Sequence, residues 1–343
     1  MKKEALHLAL LGAAMACLAT QAAAQDKIKL RVAGFLPATH FQVPNGSNVW
    51  MDEVKRLTGD RVEFEYYPAE QMGKAASLME LLQAGVIDVA EIAPAYVTEK
   101  LPLIGVLEMP GLVPDSCSGA KALRALAEPG GTIYESDFKP NRVRPLTFFI
   151  YPAYKVVTAS KAIEKGEDFQ GMKLRTSGGV AALVTSKLGG VAVPMPWPEV
   201  YQSLSRGTLD GVFSSFVGIE EADLHSITKY GMLGYNFGTP SVIISMSDQK
   251  LNSLPEDVRN ALVQAGTVAD ESFCSYVNEN EELTIQKLGE EALTLVTFSD
   301  EEKSRMDETL ASISQEWAAS LDGRGRPGTK VLEEFRQQLG TAH

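Results

Sequence analysis

The chain has 343 residues, of which 45% are hydrophobic and 22% are charged, and its formal net charge is −12 at pH 7. This length exceeds what one compact core usually holds, so it predicts two lobes of ordinary domain size. Because such an acidic surface repels nucleic acid and anionic lipid, we expect neither as a partner, and a site for an anion has to concentrate its positive charge in one pocket.

The chain begins with a predicted signal peptide, residues 1–24. A basic start, a mostly apolar run over residues 6–18 and three alanines ending at Ala24 match the pattern that precedes a cleavage site. Cys17 is an alternative lipoprotein site, but the residues before it match that signal poorly. The apolar run is shorter than the roughly 20 residues that span a bilayer. We therefore expect an exported chain, located in the periplasm, with no stable membrane insertion after cleavage.

Strands and helices alternate along the remaining sequence. Alternation and β-branched residues predict strands over residues 28–33, 62–67, 87–92, 144–150, 155–158, 172–175, 191–194, 209–213 and 242–246. Apolar residues at helical spacing predict helices over residues 48–57, 73–84, 121–126, 132–137, 179–188, 197–205, 255–291, 299–317 and 330–339. This order favours two parallel sheets covered by helices.

The long helix over residues 255–291 would span about 50 Å if it is continuous, so we expect it to lie across both lobes. No flexible linker or repeat separates the lobes, and hinges are expected near residues 147–152 and 237–242. The predicted division is 25–148 plus 240–278 for lobe I and 149–239 plus 279–343 for lobe II.

Two cysteines follow the predicted cleavage site, Cys117 and Cys274. In an oxidising compartment they could form a disulfide, but their separation along the chain does not decide whether they meet. Pairing and two free thiols both stay open, and a structural role is the default in either case.

Several enzyme classes lack their residues in this chain. The three histidines after the leader have no metal-ligand spacing to each other or to cysteine, and no Gly-x-Ser-x-Gly motif is present. Residues 323–328 match the letters of a dinucleotide loop, but they follow a helix instead of a strand and Pro327 stands where the next helix would begin. The sequence therefore predicts no catalytic residue, no metal site and no cofactor.

Arg175 stands at the end of a predicted strand and precedes a loop with two glycines. Its guanidinium is always charged and offers a planar fork that matches a carboxylate. The glycines allow a close approach to the backbone, and free amides at the start of the next helix favour an anion. From these residues alone, a carboxylate site and a structural arginine paired with an acidic neighbour are equally good interpretations.

Five segments in order and spacing extend this interpretation: YPAEQMG (67–73), LQAGVID (82–88), GMKLR (171–175), EVY (199–201) and GTLDG (207–211). Together they resemble the DctP-type solute-binding proteins of tripartite ATP-independent periplasmic (TRAP) transporters. The resemblance implies an α/β, two-lobed periplasmic-binding-protein-like fold, each lobe a mainly parallel sheet flanked by helices. It also implies a cleft that closes on a small organic acid, Arg175 as the group that fixes the ligand carboxylate, and a TRAP membrane permease as partner.

Further ligand-binding candidates flank the predicted cleft: Lys155, Trp197, Phe213, Ser214, Phe216, His40, Gln71 and Tyr154. Lys155 aligns where sialic-acid-binding relatives carry a second arginine, and Ser214 begins the segment where they carry an asparagine, so sialic acid is not the expected ligand. The aromatic residues would suit an acid with an apolar or aromatic body.

Two other functions remain as alternatives. In a receptor for a zwitterionic or neutral compatible solute, Arg175 would hold a carboxylate while aromatic rings surround a cation. A periplasmic lyase or isomerase would need a base near the bound carbon, for which His40 and Tyr151 are the candidates.

Overall fold

A computed structural model describes residues 27–340. The predicted signal peptide, residues 1–24, lies outside these residues. The strands are β1 Ile28–Ala33, β2 Val62–Tyr67, β3 Val89–Ile92, β4 Val143–Pro145, β5 Phe149–Ile150, β6 Lys155–Thr158, β7 Lys173–Thr176, β8 Val191–Pro194, β9 Gly211–Ser214, β10 Tyr230–Leu233, β11 Ser241–Ser247 and β12 Thr294–Thr297.

The α-helices are α1 Asn48–Thr58, α2 Leu78–Gln83, α3 Ser116–Ala127, α4 Gly179–Lys187, α5 Val200–Ser205, α6 Phe216–Glu221, α7 Asp248–Ser253, α8 Glu256–Glu291, α9 Asp300–Leu310, α10 Ile313–Asp322 and α11 Gly328–Leu339. Short 3-10 turns at Pro94–Tyr96 and Pro102–Glu108 follow β3 and matter for the site below. The single helix predicted over residues 299–317 is two helices, α9 and α10. The helical conformation is interrupted between Leu310 and Ile313.

The strands form two six-stranded sheets, so the predicted two-sheet α/β architecture is confirmed. The first sheet has the order β2-β1-β3-β11-β4, with β5 also paired to β11, and the second has the order β12-β10-β6-β9-β7-β8. Both sheets are mixed. The prediction of a mainly parallel sheet holds for the second sheet, where three of the five strand pairings are parallel, and is wrong for the first, where only two of the five are. Strand β11 runs antiparallel to β3, β4 and β5, and β6 runs antiparallel to β9 and β10.

The chain passes between the sheets at two strand crossings. Strand β5 ends the first sheet at Ile150 and β6 opens the second at Lys155, while β10 in the second sheet is followed by β11 in the first. Helix α11 at the end of the chain packs against α3, which precedes the first crossing. The lobe boundaries given above stay a prediction.

Helix α8 is continuous over 36 residues and has buried side chains along its whole length. Its first half packs against α1, where Trp50 Nε1 donates a hydrogen bond to the carbonyl oxygen of Leu262 (3.0 Å). A Cβ at Gly266 would lie 1.8 Å from the carbonyl oxygen of Leu146, so this stretch approaches the first sheet too closely for any larger residue. Ile285 and Leu288 in its second half belong to the core beside the second sheet.

Cys117 and Cys274 form a disulfide, which joins α3 to α8. The open question from the sequence is thus answered in favour of pairing. Over residues 27–340 no helix combines the length and the apolar character needed to cross a bilayer.

Candidate functional site

The candidate site is a pocket between the two sheets, with about 520 Å³ of empty space that includes solvent at its opening. Its walls come largely from segments that follow the carboxyl ends of β1, β3, β7 and β9, the edge where open α/β sheets place ligands. The lining residues are Phe35, Leu36, His40, Phe41, Ala93, Ala95, Tyr96, Tyr151, Tyr154, Arg175, Ser177, Trp197, Ser214, Ser215, Gly218, Pro240, Ser241 and Val242. Five of the nine predicted ligand-binding residues are among them: Arg175, Trp197, Ser214, His40 and Tyr154.

Arg175 is the penultimate residue of strand β7 and is 1% exposed. Its Nε and Nη2 both donate to the carbonyl oxygen of Met195 (3.1 and 2.9 Å), and its Nη1 donates to that of Phe213 (3.5 Å). In the described part of the chain, no carboxylate forms a hydrogen bond or salt bridge with this guanidinium. The buried positive charge is therefore held by neutral oxygen atoms, and it faces the pocket.

Tyr96 joins the two lobes at the guanidinium. It ends the 3-10 turn after β3, and its hydroxyl oxygen accepts hydrogen bonds from Arg175 Nη2 (3.2 Å) and from the backbone N–H of Trp197 (2.9 Å). Since both bonds use lone pairs, the hydroxyl proton stays available for a further acceptor.

Trp197 and Tyr154 complete the surroundings of Arg175. The guanidinium carbon lies 5.3 Å from the centre of the Trp197 ring, a cation–π distance. Burial raises the pKa of the Tyr154 hydroxyl, and the nearby Arg175 guanidinium acts against that rise. Burial raises the pKa of Glu221 of α6, and the Trp197 side chain acts against that rise.

His40 lines the pocket, but as a buried neutral ring rather than a surface residue. Burial lowers its pKa to about 3, and Nδ1 accepts the backbone N–H of Gln42 (3.1 Å). The remaining nitrogen, Nε2, therefore carries the proton, and it lies 3.7 Å from Glu221 Oε2. His40 supplies no positive charge to the site.

Two serine residues at strand ends add hydroxyl groups. Ser177 follows β7, and its buried Oγ has no hydrogen-bond partner in the described part of the chain. Ser214 ends β9 and also lines the pocket. An unpaired buried hydroxyl is costly, so Ser177 marks a position where a bound polar group would be favourable.

Phe213 and Phe216 are core residues, and their predicted contact with ligand is not supported by the lining of the pocket. Successive side chains of β9 point to opposite faces, so Ser214 faces the pocket while the Phe213 ring packs edge-on against Phe237 (5.2 Å). The Phe216 ring fills the space beside Gly231 of β10, where a Cβ would lie 2.8 Å from it.

Lys155 and Gln71 also lie outside the pocket lining. Lys155 Nζ donates to the carbonyl oxygen of Ala153 (3.2 Å). Burial lowers the pKa of Lys155, and the charges of Glu281 and Glu282 on α8 oppose that change. Gln71 is exposed in the loop after β2.

The free amides expected at the start of α4 are occupied by the protein itself. Glu108 Oε2, from the turn Pro102–Glu108, accepts hydrogen bonds from the backbone N–H groups of Val180 (3.0 Å) and Ala181 (3.3 Å). Burial raises the pKa of Glu108 to about 7, and these amides and the charge of Arg175 act against that rise. This helix N-terminus is therefore capped by a carboxylate from the other lobe and not left open for a ligand.

Sequence reasoning missed Tyr96, Phe35 and Ser177 as pocket residues. Their positions just after β1, β3 and β7 were a usable signal, because the carboxyl ends of parallel strands converge. The capping role of Glu108 had no local signal, since its partners lie 72 and 73 positions further along the chain.

Two mixed sheets with a charged, aromatic-walled pocket between them define a solute-binding receptor of the two-lobed class. The model of the family described as "Bacterial extracellular solute-binding protein, family 7" (DctP) matches residues 33–320. The chain belongs to this family. Its members are solute-binding receptors of TRAP transporters, not enzymes, so neither His40 nor Tyr151 is retained as a catalytic base.

The names of similar proteins mention different ligands. A solute-binding protein of Roseobacter denitrificans is 26% identical over 270 residues, which are 75% of this chain and 78% of the relative. The C4-dicarboxylate-binding periplasmic protein DctP of Rhodobacter capsulatus is 23% identical (80% and 82% covered). The ectoine-binding periplasmic protein TeaA of Halomonas elongata is 20% identical (80% of each).

Solved structures share the fold. A TRAP solute-binding protein of Rhodoferax ferrireducens in complex with copurified benzoate has a TM-score of 0.83 at 21% identity, covering 92% of this chain and 98% of that one. The sugar acid binding protein DctPAm of Advenella mimigardefordensis, in complex with galactonate, has a TM-score of 0.80 at 20% identity (93% and 99% covered).

Proposed function

We propose that this TRAP-family solute receptor binds a small organic acid in the pocket between its sheets, with Arg175 holding the ligand carboxylate. The observation that carries the proposal is the state of Arg175: a fully buried guanidinium whose protein partners are all neutral. The charge of Glu108 also acts on this guanidinium, but the Glu108 carboxyl is hydrogen bonded to two backbone amides at the start of α4 and burial raises its pKa to about 7. A buried guanidinium without a carboxylate in direct contact is unfavourable. A carboxylate in the pocket would supply that contact and complete the hydrogen bonding of Tyr96 and Ser177.

The remaining steps follow from the family. We infer that the lobes close on the ligand, since Tyr96 of one lobe bonds to Arg175 of the other, and that contacts made only in the closed form shift the open–closed equilibrium. The closed receptor would then deliver the acid to a TRAP membrane permease from the periplasm, after export directed by residues 1–24.

A receptor for a zwitterionic solute is the second candidate, favoured by the ectoine-binding relative. The ligand carboxylate would again meet Arg175. The Trp197 ring, however, already lies against that guanidinium, which leaves it less available to a cationic ligand group.

The test is a thermal-shift screen of the chain from residue 25 onward against mono- and dicarboxylates, aromatic acids, sugar acids and ectoine. Ligand at 100 times its Kd should stabilise the folded state by ~2.7 kcal/mol. Hits are then measured by calorimetry in Arg175→Ala and Arg175→Lys, which are expected to bind at least about tenfold more weakly because charged hydrogen bonds are worth ~1.5–3 kcal/mol.

Arg31→Lys is the matched control. Arg31 lies on β1, pairs with Asp88 and does not line the pocket, so its replacement should leave Kd unchanged. Equal affinity in wild type and Arg175→Ala would remove Arg175 from the site, and stabilisation by ectoine alone would favour the second candidate.

A further inference from the structure

A buried chain of hydrogen bonds runs from the pocket wall into the first lobe. Tyr151 Oη donates to Gln42 Oε1 (2.5 Å), Gln42 Nε2 donates to Ser47 Oγ (3.4 Å), and Ser47 Oγ donates to Glu91 Oε1 (2.6 Å). Gln42, Ser47 and Glu91 are each fully buried, while Tyr151 lines the pocket. These four residues were not among the predicted ligand contacts.

The direction of this chain is fixed at its inner end. Glu91 Oε1 also accepts a hydrogen bond from Tyr66 Oη (3.2 Å), so it acts as an acceptor for both hydroxyls, and a proton on this carboxyl would sit on Oε2. Ser47 must then give its proton to Glu91 and accept from the amide of Gln42. The carbonyl oxygen of that amide consequently faces Tyr151, which must donate to it.

The consequence for the pocket is that Tyr151 has no proton left for a ligand. Its oxygen retains lone pairs, so it can only accept a hydrogen bond. Tyr96 is the opposite case, because its lone pairs are used by Arg175 and Trp197 and its proton is free. The two tyrosine residues have different aromatic neighbours: Tyr151 packs with His40, Phe41 and Phe273, whereas Tyr96 packs with Phe35.

The charge of the lining limits the ligand further. Arg175 is the one charged side chain among the lining residues of this pocket. His40 is neutral and Lys155 lies elsewhere, so the pocket provides for a single carboxylate. Between the polar groups the wall is apolar, with Phe35, Phe41 and Trp197 among its rings.

We propose, building on the proposed function, that the ligand is a monocarboxylic acid with an apolar, ring-sized body and a hydrogen-bond donor, a hydroxyl or N–H group, that Tyr151 accepts. Tyr151 is thereby a specificity-determining residue, and Gln42, Ser47 and Glu91 are positioning residues that keep its oxygen an acceptor. The pocket, with its single positive charge, is expected to bind dicarboxylates more weakly. Because of Tyr151, it is also expected to bind acids without a hydrogen-bond donor more weakly.

The experiment compares acids of one shape with and without a donor: 3- and 4-hydroxybenzoate, the corresponding fluoro- and methoxybenzoates, and benzoate, each titrated by calorimetry. A hydroxybenzoate should bind about three- to tenfold more tightly than its fluoro and methoxy analogues, the range of one neutral hydrogen bond. In Tyr151→Phe this preference should disappear while benzoate keeps its affinity.

Tyr66→Phe is the matched control. It removes a hydroxyl that donates to the same Glu91 oxygen but belongs to a residue outside the pocket lining, so the preference should survive even if the melting temperature falls. Binding of benzoate and hydroxybenzoates with equal Kd, or a preference unchanged in Tyr151→Phe, would overturn this inference and leave the proposed function standing. Failure of every carboxylate in this set and in the broader screen would overturn both.

Discussion

Glu108 caps helix α4 through the backbone N–H of Val180, with 3.0 Å between Oε2 and the nitrogen. The contact joins segments of the two sheets, because Glu108 lies between β3 and β4 of the first sheet and Val180 lies between β7 and β8 of the second. A carboxylate at a helix N-terminus is favourable for both the helix dipole and the unpaired amides. The contact therefore stabilises the arrangement in which the lobes are together.

Replacing Glu108 by alanine should weaken ligand binding although Glu108 lies outside the pocket lining. A lost cap costs about 0.5–2 kcal/mol, which is a roughly two- to thirtyfold rise in Kd if the contact exists only when the lobes are together. Calorimetry with the best acid from the screen measures it. Ser299→Ala, which removes the cap of α9, should lower stability without changing Kd; an unchanged Kd in Glu108→Ala would show that the cap does not depend on closure.

A methyl group at Gly178 should keep the lobes apart. Gly178 has φ of +108°, and a Cβ there would lie 2.8 Å from the carbonyl oxygen of Ala95 in the first lobe. We expect Gly178→Ala to bind ligand at least about tenfold more weakly and to keep a larger radius of gyration in small-angle scattering with ligand present. Gly207→Ala is the control, because Gly207 also has a positive φ (+69°) but open space around its Cβ position; equal effects of the two variants would trace the loss to backbone strain alone.

Lys155→Met should leave ligand affinity unchanged within about twofold and lower the melting temperature. The reason is that the Lys155 charge acts on Glu281, which is partly buried and accepts the backbone N–H groups of Phe216 and Val217. Loss of the lysine leaves that carboxylate without its opposing charge. Parallel calorimetry and thermal denaturation separate the two effects, and a tenfold loss of affinity would restore Lys155 as a ligand contact.

Glu91 should make folding stability fall as the pH rises. Burial raises its pKa from 4.5 to about 7, so between these values the folded chain holds a proton that the unfolded chain releases. Its contribution is greatest below about pH 4.5, declines up to about pH 7 and is flat above it, with ~1.4 kcal/mol for each unit of pKa difference. Glu108, Asp137 and Asp270 act in the same direction.

The difference in the free energy of unfolding between Glu91→Gln and wild type, followed against pH, isolates the contribution of Glu91. Chemical denaturation at intervals from pH 4.5 to 8 should give a smaller decline of unfolding free energy in the variant. Parallel curves for the two proteins would mean that Glu91 has an ordinary pKa in the folded state.

The sequence predicted those elements whose side-chain pattern is complete within the segment. Strands β1, β2, β6 and β8 have their predicted bounds, and helix α8 begins within one residue of its predicted start. Strand β10 was missed because Gly231 interrupts its pattern, the space of the absent side chain being filled by Phe216 and Leu295. Strand β12 was also missed, because it is a short edge strand without a fully buried residue and so lacks a clear hydrophobic pattern.

The residues of the site were likewise predictable only where the signal lies within one segment. Arg175 could be found from its place near a strand end. Phe213 and Ser214 were both predicted as ligand contacts, although the alternation of side chains along β9 was a signal that could have separated them. The partners of Arg175 could not be found, because Tyr96 and Met195 come from separate segments that only the tertiary fold brings together. The mixed sheets were missed for a similar reason: β11 enters the first sheet from the other lobe, and nothing in a strand's own residues gives its direction.

Helix α8 has a mechanical consequence for any movement between the lobes. Its hydrogen-bonded backbone continues from Glu256 to Glu291. Near Gly266 it packs closely against Leu146, on the side of the first sheet, and at Glu281 it accepts a hydrogen bond from the first residue of α6, beside the second sheet. The helix is thus an elastic rod clamped at two points about 22 Å apart at 1.5 Å per residue. Relative rotation of the lobes has to bend or twist the turns between the clamps or pull one of them loose, so the same rod that ties the halves together also supplies a restoring torque.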